Sequence, residues 1–135
     1  MDLCRHDIDP RWCSLCRREA GYRPGSDQQF NDCTVWTVVN LTGADYTEAA
    51  ELLAAAGRKD GHGACATAVH QVLTDCGWTV SSTNLTVAEA MCRPGQYHVS
   101  ARRGGVGHSF CIINGQAFNA GSYINCKQAR VWAVN

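Results

Sequence analysis

The spacing of apolar positions changes near residue 77, from a helical period to strand alternation. Residues 33–43 run from a short polar start at Asn31-Asp32 to a glycine stop, which predicts a helix whose β-branched content implies burial. Residues 46–56 predict a second helix, opened by Thr47-Glu48 and closed by Gly57, with Leu52, Leu53 and Ala56 on one side. Residues 64–76 predict a third, with Val69, Val72 and Leu73 on one face and Gly77 as its end. Beyond it, residues 78–82 read as a strand, 87–92 as a short helix, and 95–101 as a strand ending at the turn Arg102-Arg-Gly-Gly. His108-Ser-Phe-Cys-Ile-Ile then meets Asn114-Gly115, a strong hairpin signal, and returns through residues 116–119, while 129–134 closes the sheet. Helices followed by an antiparallel sheet give an α+β layout, with the helices expected on one face of the sheet.

The first 23 residues stand apart. They hold three of the nine cysteines and nine of the 24 charges, with no apolar periodicity, so they read as a separate module spanning 1–23. The breakers Pro24 and Gly25 lead into a main domain spanning 24–135. Within the module, Cys4, His6, Cys13 and Cys16 form the pattern C-x-H-x6-C-x2-C. Three thiols and an imidazole match a closed tetrahedral site for structural Zn2+, and metal binding would supply the folding free energy that a coreless segment lacks.

Composition narrows the partners. At 135 residues, 45% hydrophobic and 18% charged, the chain is about one soluble domain. Twelve basic and twelve acidic residues give no net field toward nucleic acid or an anionic membrane, and the module's acids offset all but one of its five arginine charges. No nucleic acid partner is therefore expected. The longest purely apolar stretch, 52–56, is far below the roughly 20 residues that span a bilayer. The start Met-Asp-Leu-Cys-Arg-His lacks the pattern of an export signal, so a cytoplasmic protein is expected, with cysteines serving as ligands, nucleophile and core rather than as a disulfide scaffold. Oligomeric state is left open.

Among the remaining cysteines, Cys33 opens a helix, where unpaired backbone N–H groups and the helix dipole favour a thiolate. Cys65, Cys76, Cys92, Cys111 and Cys126 read as small core residues. A thiolate needs a base, and His108 opens a strand after Gly-Gly-Val-Gly. With Asn114-Gly115 as the turn, Ile113 pairs with Gln116, which brings Asn119 within two strand positions of His108. His62 and His70 compete for the base role but read as surface or core residues. His98 reads as solvent-facing beside Gln96 and Ser100, and Trp36, Trp78 and Trp132 as core, with Trp12 in the module.

The order Cys33 on a helix start, His108 on a strand and Asn119 on the next strand resembles that of papain-like cysteine peptidases. The likeness covers residues 28–134 and is nearest to the reduced bacterial and bacteriophage members. Asn31-Asp32-Cys33, Gly57-Arg58 and Gly107-His108-Ser109 are also similar to small proteins of actinobacterial phages. The resemblance implies nucleophile, general base and imidazole orienter in that order, and an oxyanion-hole glutamine for which Gln28 and Gln29 both match. The chain departs from the family in lacking Cys-Gly-Ser-Cys-Trp around the nucleophile, and its 75-residue gap from Cys33 to His108 leaves no room for large substrate-groove subdomains. The expectation is a papain-like cysteine hydrolase acting on a peptide or protein substrate, in the host cytoplasm if phage-encoded. The alternative is an inactive adaptor of the same fold whose zinc module docks a host or virion component.

Overall fold

The computed structural model describes residues 32–59 and 63–135. The proposed zinc module 1–23, with Cys4, His6, Cys13 and Cys16, lies outside the described residues, as do Gln28, Gln29 and His62. Helix α1 (Cys33–Thr42) is buried on every side from Thr34 to Leu41, which explains a composition richer in valine and threonine than a surface helix carries. Two of its three threonine hydroxyls bond along the helix, Thr37 donating to the Cys33 carbonyl and Thr42 to that of Val38, whereas the buried Thr34 Oγ1 has no partner among the described residues. Gly43, at φ 78°, ends it through a bond to Val39. Asp32 does not cap the helix. Its Oδ2 accepts instead from Trp36 Nε1–H and Tyr46 O–H, both at 3.0 Å, which ties the start of α1 to the start of α2 (Tyr46–Ala55).

Helix α3 (Ala66–Asp75) completes one layer, burying Ala68, Val69, Val72 and Leu73. The strands follow as β1 (Val80–Ser82), β2 (Gln96–Arg103), β3 (Val106–Ile113), β4 (Gln116–Phe118) and β5 (Ala129–Val134), with helix α4 (Val87–Met91) before β2 and a 3-10 turn (Gly121–Asn125) before β5. All pairings are antiparallel, in the order β1-β5-β2-β3-β4. The protein is thus α+β, with four described helices and a five-stranded antiparallel sheet. None of the described helices is long and apolar enough to cross a membrane.

The helices do not all share one face. Cys111, Phe118 and Val134 pack with α1, α2 and α3, whereas Tyr97, Val99, Phe110, Ile112 and Val131 pack on the opposite face with Val87 and Ala90 of α4. Burying both faces is what corrects the reading of His98. The alternation of Gln96, His98 and Ser100 mimics a solvent face, but α3 covers that face and His98 is 0% exposed. Cys65, Cys76 and Cys92 are likewise exposed rather than core, because they sit at helix caps outside the apolar stripes. Trp36 and Cys111 are buried as expected, whereas Trp78 and Trp132 are half-buried.

The β3–β4 hairpin has the register that Asn114-Gly115 implies, Ile113 facing Gln116. Asn114 and Gly115 both hold positive φ, and the Asn114 side chain accepts from Gly95 N–H, anchoring the turn to the start of β2. A Cβ on Gly115 would stand 2.9 Å from the Met91 carbonyl as well as at φ 82°. Gly104, at φ 58°, faces open space. Gly115→Ala is therefore expected to cost about 2 kcal/mol or more in urea unfolding, and Gly104→Ala about 1 kcal/mol. Equal costs would count against the close approach of α4 to this turn.

Candidate active site

Helix α1 presents Cys33 at its first position, where the amides of the first turn have no acceptor within the helix. Strand β4 stops at Phe118, so the half of β3 that begins at His108 runs free of a partner on that edge. There the His108 side chain hydrogen-bonds the Cys33 thiol. Its Nε2 lies 2.7 Å from the Asn119 backbone carbonyl. A carbonyl only accepts, so Nε2 carries the hydrogen and, in the neutral ring, Nδ1 holds the lone pair. The ring is held further by stacking on Tyr123, 4.6 Å between centroids, with the Arg103 guanidinium 4.6 Å from the centroid of that tyrosine.

The electrostatics follow from this geometry. Burial would raise the Cys33 thiol, but the His108 hydrogen bond, the Ser109 and Thr34 backbone N–H groups and the His108 charge together bring it below its ordinary value. The same hydrogen bond raises His108; burial opposes the rise, while the Asn119 carbonyl and the thiolate charge add to it. The two shifts favour a thiolate–imidazolium pair. Cys111, by contrast, is wholly buried without a charged neighbour, and burial pushes its thiol up.

Cys33, His108 and Asn119 are brought together as their spacing implies, with one change of role. The group on His108 Nε2 is the main-chain carbonyl of Asn119, a residue at φ 64°. This left-handed conformation, which asparagine tolerates, turns the chain out of β4 toward His108.

Sequence reasoning missed a second polar chain behind the thiol. Thr37 donates to the Cys33 carbonyl at 3.0 Å, so its oxygen accepts from the Ser109 hydroxyl at 2.8 Å. Ser109 has then used its only proton, and its oxygen accepts from His98 Nε2–H at 2.9 Å. Neutral His98 is left with a lone pair on Nδ1, which accepts from His70 Nε2–H at 2.9 Å. Burial, and after it the neighbouring His70, pushes His98 down to about 3, which keeps the ring neutral. Burial also lowers His70. Neither ring touches the thiol. The chain clamps the first turn of α1 to β3, where Ser109 binds twice: its hydroxyl to Thr37 and its backbone N–H to the Cys33 sulfur.

Both histidine sets line one cleft of about 940 Å3, together with Cys33, Cys65 and Trp132. Among the described residues no group of three or more His, Cys, Asp or Glu could hold a metal ion. Comparison with protein-family models, with curated proteins and with solved structures finds no match.

Ser109→Ala removes the middle of the polar chain and leaves the buried His98 N–H without an acceptor. A loss of about 1–3 kcal/mol in urea unfolding is expected, with slower alkylation of Cys33 as the clamp loosens. At Asn119 the carbonyl that meets His108 is presented by a positive φ. Asn119→Gly should keep the pH dependence of Cys33 alkylation, and Asn119→Val, which cannot hold that φ without strain, should lose it.

Proposed function

We propose that this protein is a cysteine hydrolase that cleaves a peptide, isopeptide or related amide bond through Cys33 and His108. The observation that carries the reading is the Cys33 thiol at a helix start, hydrogen-bonded to an imidazole whose far nitrogen is fixed by a carbonyl, within an open cleft. The likeness in chain order to papain-like peptidases supports it. The thiolate attacks the amide carbonyl carbon, and the developing oxyanion is offered first-turn backbone N–H groups, with Gln28 or Gln29 as the family's further donor. His108 gives its proton to the leaving amine, producing a thioester on Cys33. It then takes a proton from water, which attacks the thioester, releases the acid and restores the thiol. Asn119 acts on His108 through its carbonyl, as a positioning residue.

Cys65, Cys76 and Cys92 are exposed and serve as internal comparators. At neutral pH, iodoacetamide should alkylate Cys33 at least about 10-fold faster than these three, as judged by peptide mass mapping, because the donors around Cys33 hold its thiol below the ordinary value. The sign follows from the shifts: the Cys33 rate rises with pH through a thiol pKa below the ordinary value, and His108→Ala moves that rise to higher pH. Cys33→Ser should abolish acyl-enzyme formation with p-nitrophenyl acetate while leaving the melting temperature nearly unchanged. Uniform slow labelling of all four cysteines, with a marked loss of stability in Cys33→Ser, would leave the inactive adaptor reading in its place.

The donor set Cys4, His6, Cys13 and Cys16 suits structural zinc, and we carry it as part of the proposal. One zinc per chain is expected by elemental analysis, lost in Cys13→Ser/Cys16→Ser with the main domain still cooperatively folded. Metal-free protein after purification without chelator would remove the module from the account.

A further inference from the structure

The cleft beside Cys33 has a one-signed wall. Arg102, Lys127 and Arg130 line it, and no aspartate or glutamate does so among the described residues. The chain as a whole carries twelve basic and twelve acidic residues, so this accumulation is local. Register explains how it arises. Ser100 of β2 faces Arg130 of β5, and Arg102, two positions along β2, shares the face of Ser100; the two guanidinium-bearing positions are thus diagonal neighbours on adjacent strands. Lys127 enters from the turn before β5. None of the three is ion-paired to a described residue; Arg130 has only the Trp132 ring, 6.0 Å away. Like charges at neighbouring cross-strand positions repel, and neither composition nor packing requires them there. The positive end of α1 and the imidazolium of His108 face the same space, so the thiolate is the only negative group among the described lining residues.

We propose that this wall is a carboxylate subsite: the substrate is a peptidic amide bearing a carboxylate beside the scissile bond, either an acidic side chain or a free α-carboxylate. The inference rests on the hydrolase reading of Cys33 and names its substrate class. A guanidinium pair offers fork-shaped donors to a carboxylate, and the Trp132 and His70 rings supply the apolar surface on which the rest of the peptide lies.

The test compares alkylation of Cys33 in the full chain by iodoacetate, which carries a carboxylate, and by neutral iodoacetamide. Because His108 itself draws an anion, the readout is the change in the iodoacetate to iodoacetamide rate ratio when the wall is neutralised. Arg102→Gln/Arg130→Gln keeps both side-chain stems near their original length, and its melting temperature reports whether it folds. The ratio should fall about 3- to 10-fold in this variant, and the parent's ratio should fall between 0.05 and 0.5 M NaCl. Protection from iodoacetamide by N-acetyl-Ala-Glu-Ala-amide, but not by N-acetyl-Ala-Ala with a free carboxyl end, assigns the site to an acidic side chain; the reverse assigns it to a chain end. Equal protection by N-acetyl-Ala-Ala-Ala-amide would overturn the subsite. Fast alkylation of Cys33 with a ratio that neither the variant nor salt alters would overturn the subsite alone, whereas slow reaction with both reagents in the parent would overturn the nucleophile reading and this inference with it. Should the double variant fail to fold, the single variant Lys127→Gln and the salt series read the same ratio.

Discussion

The site depends on one contact, the docking of the first turn of α1 onto strand β3. Helix α1 is buried from Thr34 to Leu41 and is held laterally by α2, α3 and the sheet, but apolar packing alone leaves its position along its axis soft. The Thr37–Ser109 bond removes that freedom, because a buried hydroxyl pair at 2.8 Å is lost if the helix slides by a fraction of a turn. Asp32 supplies the same constraint from the other side, with two donors converging on one oxygen just before Cys33. Between these anchors Cys33 has one place to go, beside His108 and under the Ser109 N–H.

Ionisation follows from that placement. Desolvating a thiol by itself makes it a poorer acid, as Cys111 demonstrates in the core of the same sheet. Cys33 is half-buried, yet its shift has the opposite sign, because a hydrogen-bonded imidazole and two backbone N–H groups outweigh the lost water. Position in the helix would not suffice. What separates the lowered thiol from the raised one is the number of donors aimed at the sulfur.

Much of this was legible in the chain. The Asn114-Gly115 turn fixes the β3–β4 register, and through it the proximity of residue 119 to His108, by arithmetic on one dipeptide. The glycine after each of the first two helices marked its end within a residue or two, since a helix terminus is a local event. What escaped were features set by long-range contact. Nothing local to β2 says that a helix 28 residues earlier will cover His98, so polar alternation was read as exposure. Cys65, Cys76 and Cys92 were placed inside from residue type, although each occupies a cap. The backbone carbonyl of Asn119 is what meets His108, and a backbone carbonyl is invisible to any reading by residue type.

Two imidazoles on neighbouring strands show how surroundings assign different tasks to one side chain. His98 and His108 lie on β2 and β3, three registered positions apart along the pair. His98 is wholly buried and its Nδ1 meets another histidine, so a proton there would face both desolvation and repulsion, and the ring is restricted to passing fixed hydrogen bonds between His70 and Ser109. His108 is half-buried, with a thiol at one side and a carbonyl at the other, both of which stabilise its charged form. The first ring is locked neutral and orders the clamp. The second has its charged form favoured and acts on the thiol. Exchange of these roles is blocked by geometry as well as by charge, since His98 reaches Cys33 only through Ser109 and Thr37, two hydroxyls whose donor directions are already spent on holding the helix in place.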